Sequence, residues 1–96
     1  MAVGNVVSCA PTLVANNASL NIQPSAGIGW LIKNIYYSGA IQFNWTDGTN
    51  IINFDSDGSA GVRMCTSFLP TNNYYLSIKN VSGGPIYIAY DGVQIQ

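Results

Sequence analysis

Short runs in which apolar and polar residues alternate recur along the whole chain, and turn-forming residues close each run. In "AIQFNWTDG", Ile41, Phe43 and Trp45 point one way and Gln42 and Asn44 the other. That period of two belongs to a strand with one face toward a core. "GWLIKNIYYSG" is the longest run, but neither of its faces is purely polar. "YYLSIKNVSGGPIYIAYDGV" reads as strand, tight turn and strand, with Leu76 and Ile78 inward and Ile86, Ile88 and Tyr90 on one face of the return. Ser38-Gly39 and Ser82-Gly83-Gly84 carry hairpin-turn chemistry, as does Asp47-Gly48. Asp91-Gly92 predicts a bend before "VQIQ". No window places apolar residues at helical spacing. About eight short strands, with turn signals roughly every 8 to 12 residues, predict an all-β fold, an antiparallel, jelly-roll-like β-sandwich. The 96 residues form a single domain, 1–96, with no internal repeat.

The charge content narrows the function classes. Only 7% of residues are charged, against roughly 25% in ordinary soluble domains. The acids are Asp47, Asp55, Asp57 and Asp91; the bases are Lys33, Arg63 and Lys79. A net charge of −1 without a basic cluster offers no footprint for nucleic acid and no attraction to an anionic membrane. No apolar run reaches the roughly 18 to 20 residues of a membrane span. A nearly uncharged surface favours self-association. The N-terminus lacks a basic region followed by an apolar run, so synthesis and folding in a cytoplasm are expected. The glycosylation sequons at Asn17, Asn44 and Asn80 then read as chance matches in an Asn-rich chain.

Catalytic chemistry finds little to work with. The chain has no His, so a Ser-His-Asp or Cys-His nucleophile system cannot be built. The four Asp sit in turn sequences such as TDG, DSDG and YDG, where local hydrogen bonding explains them. No enzyme activity and no cofactor are expected. "DSDG" resembles the start of a calcium loop at Asp55 and Asp57, but the downstream Glu and the helical frame are missing. Cys9 and Cys65 are the only cysteines. They read either as two small buried side chains or as a disulfide that closes a long loop.

The tyrosines are more informative. Neighbours on a strand point to opposite faces, so one of Tyr36/Tyr37 and one of Tyr74/Tyr75 should lie outside. Tyr36 or Tyr37, with Tyr75 and Tyr87, are the candidates for an exposed interface patch, because Tyr combines rigid area with a polar tip.

The pattern from Trp30 to Val93 resembles small structural proteins of tailed bacteriophages. The features that carry it are "GWLIKNIYYSGAIQFNW", "DG" followed by "NFDSDG", "YYLSIKN" and "IAYDGV". The resemblance is to jelly-roll capsid decoration, or cement, proteins. It implies a homotrimer on the outer capsid surface that binds the major capsid protein and stabilises the virion shell. Residues 1–20 fall outside the resemblance and are expected as an arm that reaches a neighbour. A tail- or fibre-associated module that recognises host-surface glycan or protein is the alternative.

Overall fold

The structure, a computed structural model, describes residues 3–64 and 66–96. The described residues form nine strands and no helix: β1 (Val6–Ser8), β2 (Thr12–Val14), β3 (Ser19–Ile22), β4 (Trp30–Tyr37), β5 (Ile41–Thr46), β6 (Ile51–Asp57), β7 (Gly61–Arg63), β8 (Tyr75–Asn80) and β9 (Ile86–Gln94). All pairings are antiparallel, in two sheets. Sheet A runs β1-β9-β4-β7, with β2 also on β9, and sheet B runs β3-β8-β5-β6. After β2, every connection except β5 to β6 passes from one sheet to the other, which is jelly-roll-like connectivity. The expected antiparallel β-sandwich is therefore the fold. Pro11, whose nitrogen has no hydrogen for the ladder, stands between β1 and β2. Both strands lie along β9 of their own chain. The segment read as an arm thus buries Val7 and Val14 in its own sandwich.

Two expected hairpins are corrected. Ser38-Gly39 and Ser82-Gly83-Gly84 each carry the chain between sheets, and the strands they join do not pair with each other. β8 is already flanked by β3 and β5, and β9 by β1, β2 and β4, so neither has a free side for the other. The second crossing is held by Asn80, which is fully buried. Its amide donates to the carbonyls of Val14 at 2.9 Å and Gly84 at 2.7 Å. Its oxygen accepts from the backbone N–H of Ser82 at 2.9 Å and from the Ser82 hydroxyl at 2.7 Å.

Ile22, Ile32, Ile35, Ile41, Phe43, Leu76, Ile78 and Ile88 are fully buried between the sheets. Each such side chain contributes about 1.5–3 kcal/mol from burial. Ile32 and Ile35 both face this core although they stand three apart, because a β-bulge shifts the register between Ile32 and Asn34. Lys33 is the extra residue, and Lys33 and Asn34 both project outward. This resolves the mixed faces of "GWLIKNIYYSG". Opposite the bulge, β9 continues through Asp91-Gly92 where the sequence predicted a bend. The backbones there approach so closely that a Cβ on Gly92 would overlap the carbonyl oxygen of Leu31 and lie 2.9 Å from Ile32 Cα. A second bulge makes Phe54 the extra residue of β6.

Gly92→Ala is therefore expected to destabilise by about 3 kcal/mol in urea unfolding. Gly58→Ala, where an added Cβ meets nothing within 4 Å, should stay within about 0.5 kcal/mol of the parent.

Candidate functional site

The two outer faces of the sandwich differ in chemistry. On sheet B, cross-strand registers align Ser19, Lys79, Gln42 and Ser56 in one row, and Asn21, Ser77, Asn44 and Asn53 in the next. Asn53 donates to the Asn44 side-chain oxygen at 3.0 Å. Apart from Lys79, these rows are a ladder of amides and hydroxyls, with Asn44 and Ser77 buried within it. On sheet A, the outward register positions are Val6, Val93 and Leu31, then the polar row of Ser8, Asp91 and Asn34 with Lys33 in the bulge, then Ala89, Tyr36 and Val62, and Leu13 beside Tyr87. Val6 is 76% exposed, Leu13 59%, Tyr87 53%, Tyr36 41% and Val62 38%. Isolated exposed apolar residues are ordinary, but Leu13, Tyr87, Ala89, Tyr36 and Val62 form one group across three strands, and such grouping marks an interaction surface.

Two charges sit on this apolar face, Lys33 and Asp91. Asp91 is well satisfied. Its carboxylate accepts from the Asn34 amide and from the Tyr36 hydroxyl, each at 2.7 Å. That bond to Asp91 is the main reason the Tyr36 hydroxyl is held above its ordinary pKa. Between the rings of Tyr36 and Tyr87 lies an open hollow of about 270 Å³, with Pro11 and Ala89 among its lining residues.

Of the expected interface tyrosines, Tyr36 and Tyr87 stand exposed on this one face. Tyr75 is half-buried and lies on sheet B, opposite Thr46, so it does not join them. Tyr37 is the inward member of its pair, with its ring edge-on to Phe43 at 5.9 Å. It is almost wholly buried, and its exposed part lies in the wall of the hollow. Leu13, Val62 and Val6 were not singled out from the sequence. Their runs are only three residues long, too short for alternation to declare a face.

Asp55 and Asp57 have another use than calcium. Both lie on the inward side of β6, opposite Phe43 and Ile41. Asp55 pairs with Arg63 of β7, whose guanidinium lies 4.7 Å from the centre of the Phe43 ring. Asp57 accepts from the Tyr37 hydroxyl at 2.6 Å. Both carboxylates thus tie sheet B to sheet A along one edge of the sandwich. No group of three or more His, Cys, Asp or Glu that could hold a metal occurs among the described residues. Further along that edge, Trp45, Ile52, Phe54 and Phe68 line an open apolar hollow of about 290 Å³. Cys9 is half-buried, with its Sγ 3.2 Å from the Ala10 carbonyl oxygen. Cys65, and with it the expected Cys9–Cys65 bond, lies outside the described residues.

In comparisons with known proteins, no family model and no curated protein matches the chain.

The edge ties set the pH dependence. The Arg63 hydrogen bond holds Asp55 below the ordinary carboxylate value of 3.8. The Tyr37 hydroxyl does the same for Asp57, and the backbone N–H groups of Asn50 and Thr49 for Asp47. A carboxylate depressed in the folded state stabilises it above the unfolded pKa, and that contribution is lost as pH falls. Tyr37 runs the other way. Burial first, then the bond to Asp57, raises it above 10.0, so its contribution is present below that value and lost as pH rises. The melting temperature should therefore be flat near neutrality and fall below about pH 4 and again above about pH 10. Arg63→Met should make the acid limb shallower, as followed by circular dichroism.

Proposed function

We propose that this chain is a non-enzymatic virion protein, a trimeric decoration protein that binds the outer surface of a tailed-phage capsid and stabilises the shell. The observation that carries this reading is the exposed apolar face of sheet A on a sandwich with almost no free charge. Such a face is costly in isolation and favourable against protein. The neutral amide and hydroxyl ladder on the opposite side suits a face left to water. The partner in this reading is the major capsid protein, and the location is the virion surface. The protein acts by adding contacts across junctions between shell subunits. Many copies on one lattice supply avidity, so each contact can be modest.

The tail- or fibre-module reading has one observation in its favour, the open hollow between Tyr36 and Tyr87. A sugar ring would stack there, but it also needs hydrogen-bond partners, and the Asp91 carboxylate nearby is already occupied by Asn34 and Tyr36. The shell reading is therefore preferred.

Purified protein mixed with capsids stripped of it should co-sediment to a saturable stoichiometry and raise the temperature at which the capsids open. Absence of co-sedimentation together with an unchanged opening temperature refutes the shell reading. Strong hits on a glycan array, abolished by Tyr87→Ala, would favour the tail module.

A further inference from the structure

We propose that the first half of β6 is a docking edge that takes an extended segment of another protein as an added strand, with an apolar side chain of that segment in the Trp45–Phe68 hollow and a Lys or Arg beside Asp47. The inference goes beyond the shell reading and does not rest on it.

β6 is the outer strand of sheet B and pairs with β5 alone. The N–H of Asp47 donates to the Asn50 carbonyl, and on the far side of β5 the N–H of Val81 donates to the Ala40 carbonyl. Each of these bonds fixes the same phase of the antiparallel ladder. Trp45 bonds to Ile52, while Ile51 and Asn53 turn their N–H and C=O groups away from β5. Such a row of backbone groups is a template for another strand. The second half of β6 is closed to one. Phe54 bulges, Asp55 and Asp57 point inward, and the Asp55 carboxylate takes the N–H of Ser56 at 2.8 Å. Bulges and inward charges are the means by which sheet edges are blunted. Ile51 to Asn53 carry neither, and no Pro or Lys. Instead Ile51 is 66% exposed and Ile52 62%.

The side chains agree with the backbone. Ile52 lies opposite Trp45 and faces the same way, toward the gap between the sheets. On the other side of that gap, Phe68 is bridged to Ile32 at the edge of sheet A. With Phe54 these side chains line the apolar hollow of about 290 Å³. A strand added roughly 4.8 Å from β6 would point every second side chain inward beside Ile52, over this hollow. The hollow has room for one large apolar side chain. Strand addition recognises its ligands in this way, with main-chain bonds for affinity and a pocket for alternate side chains.

Charge selects the occupant. Asp47 lines a second hollow that shares Trp45 and Ile52 with the first. Its carboxylate accepts the N–H groups of Thr49 and Asn50, and no cation pairs with it among the described residues. With Asp55 and Asp57, this edge carries three acids against one base, Arg63. A second copy laid antiparallel, with Ile51 opposite Asn53, would bring Asp47 of each copy toward Asp57 of the other. Like charges so placed are destabilising. A basic segment of another protein meets the same acids favourably.

The test is an NMR titration of the full chain with the peptide Arg-Thr-Ile-Thr-Phe-Thr-Arg, carried to millimolar concentration. At a free concentration about ten times its Kd, the peptide should slow hydrogen exchange of the Ile51 and Asn53 amides about tenfold. Ile52→Asp should weaken binding about tenfold or more, whereas Tyr87→Ala, on sheet A, should bind as the parent does. The same peptide with Ser in place of Ile and Phe, and one N-methylated at every backbone amide, should each bind about tenfold more weakly. These peptides act on the parent chain, so they decide the matter even where Ile52→Asp does not fold. No response of β6 amides at millimolar peptide overturns the proposal. Equal binding of the Ser peptide leaves charge alone and also overturns it. Equal binding of the N-methylated peptide does the same, because no strand is then added. Protection of Ile51 and Asn53 that grows with protein concentration in the absence of peptide assigns the edge to a second copy and refutes the reading. A chain that takes the peptide but ignores capsids overturns only the shell reading, and one that binds capsids but not the peptide overturns only this edge.

Discussion

The extra residue in β4, set against the close backbone approach at Gly92, determines which side chains this protein shows to the world. Before the bulge, Ile32 faces the core; after it, Ile35 and Tyr37 do. A strand of strict period two would have carried Asn34 and Tyr36 inward behind Ile32 and turned Ile35 and Tyr37 out. That arrangement would bury an amide and expose a core isoleucine, each unfavourable. The phase change places the Tyr37 hydroxyl where it can reach Asp57 across the sandwich, and it sends Asn34 and Tyr36 out to hold Asp91. The tie between the sheets and the apolar outer face are two results of the same one-residue shift.

The scarcity of charge is matched by how the carboxylates are used. Asp55 and Asp57 join the sheets, Asp47 accepts the backbone N–H groups of Thr49 and Asn50 in the β5–β6 turn, and Asp91 is held by two side chains of β4. Each acid has a structural role, so the outer faces take their character from neutral groups. One of them is mostly apolar around Lys33 and Asp91, and the other is mostly amides and hydroxyls around Lys79. A sandwich with two such unlike faces has a built-in orientation relative to whatever it binds.

Much of this fold was legible in the sequence where alternation ran unbroken. β5, β8 and the first half of β9 bury the side chains that a period of two assigns to the core: Ile41 and Phe43, Leu76 and Ile78, Ile86 and Ile88. What alternation could not reveal is long-range pairing. Ser38-Gly39 and Ser82-Gly84 have the local chemistry of hairpins, yet the partners of β8 and β9 come from distant segments that leave no room for one. Bulges are hidden for a related reason, since the residue that breaks the phase is defined by the strand opposite. Asp55 and Asp57 looked like turn residues because the groups they bind, Arg63 and Tyr37, come from the other sheet. The candidate face was half legible. Tyr36 and Tyr87 were marked by their pairing with core neighbours, whereas Leu13 and Val62 stand in segments too brief to show a side.

The central position of β9 governs how the chain can fold. Sheet A is assembled around it, with β1 and β2 on one side and β4 on the other, so none of those strands has its main partner until β9 has left the ribosome. All four strands of sheet B are synthesised earlier. For that interval Ile41, Phe43, Leu76 and Ile78 have no opposing layer. A topology dominated by such distant pairings folds slowly, on the millisecond-to-second scale. The nascent chain is then a natural client for chaperones, and the sandwich closes only as a late, cooperative event in which its last strand enters the middle of a sheet.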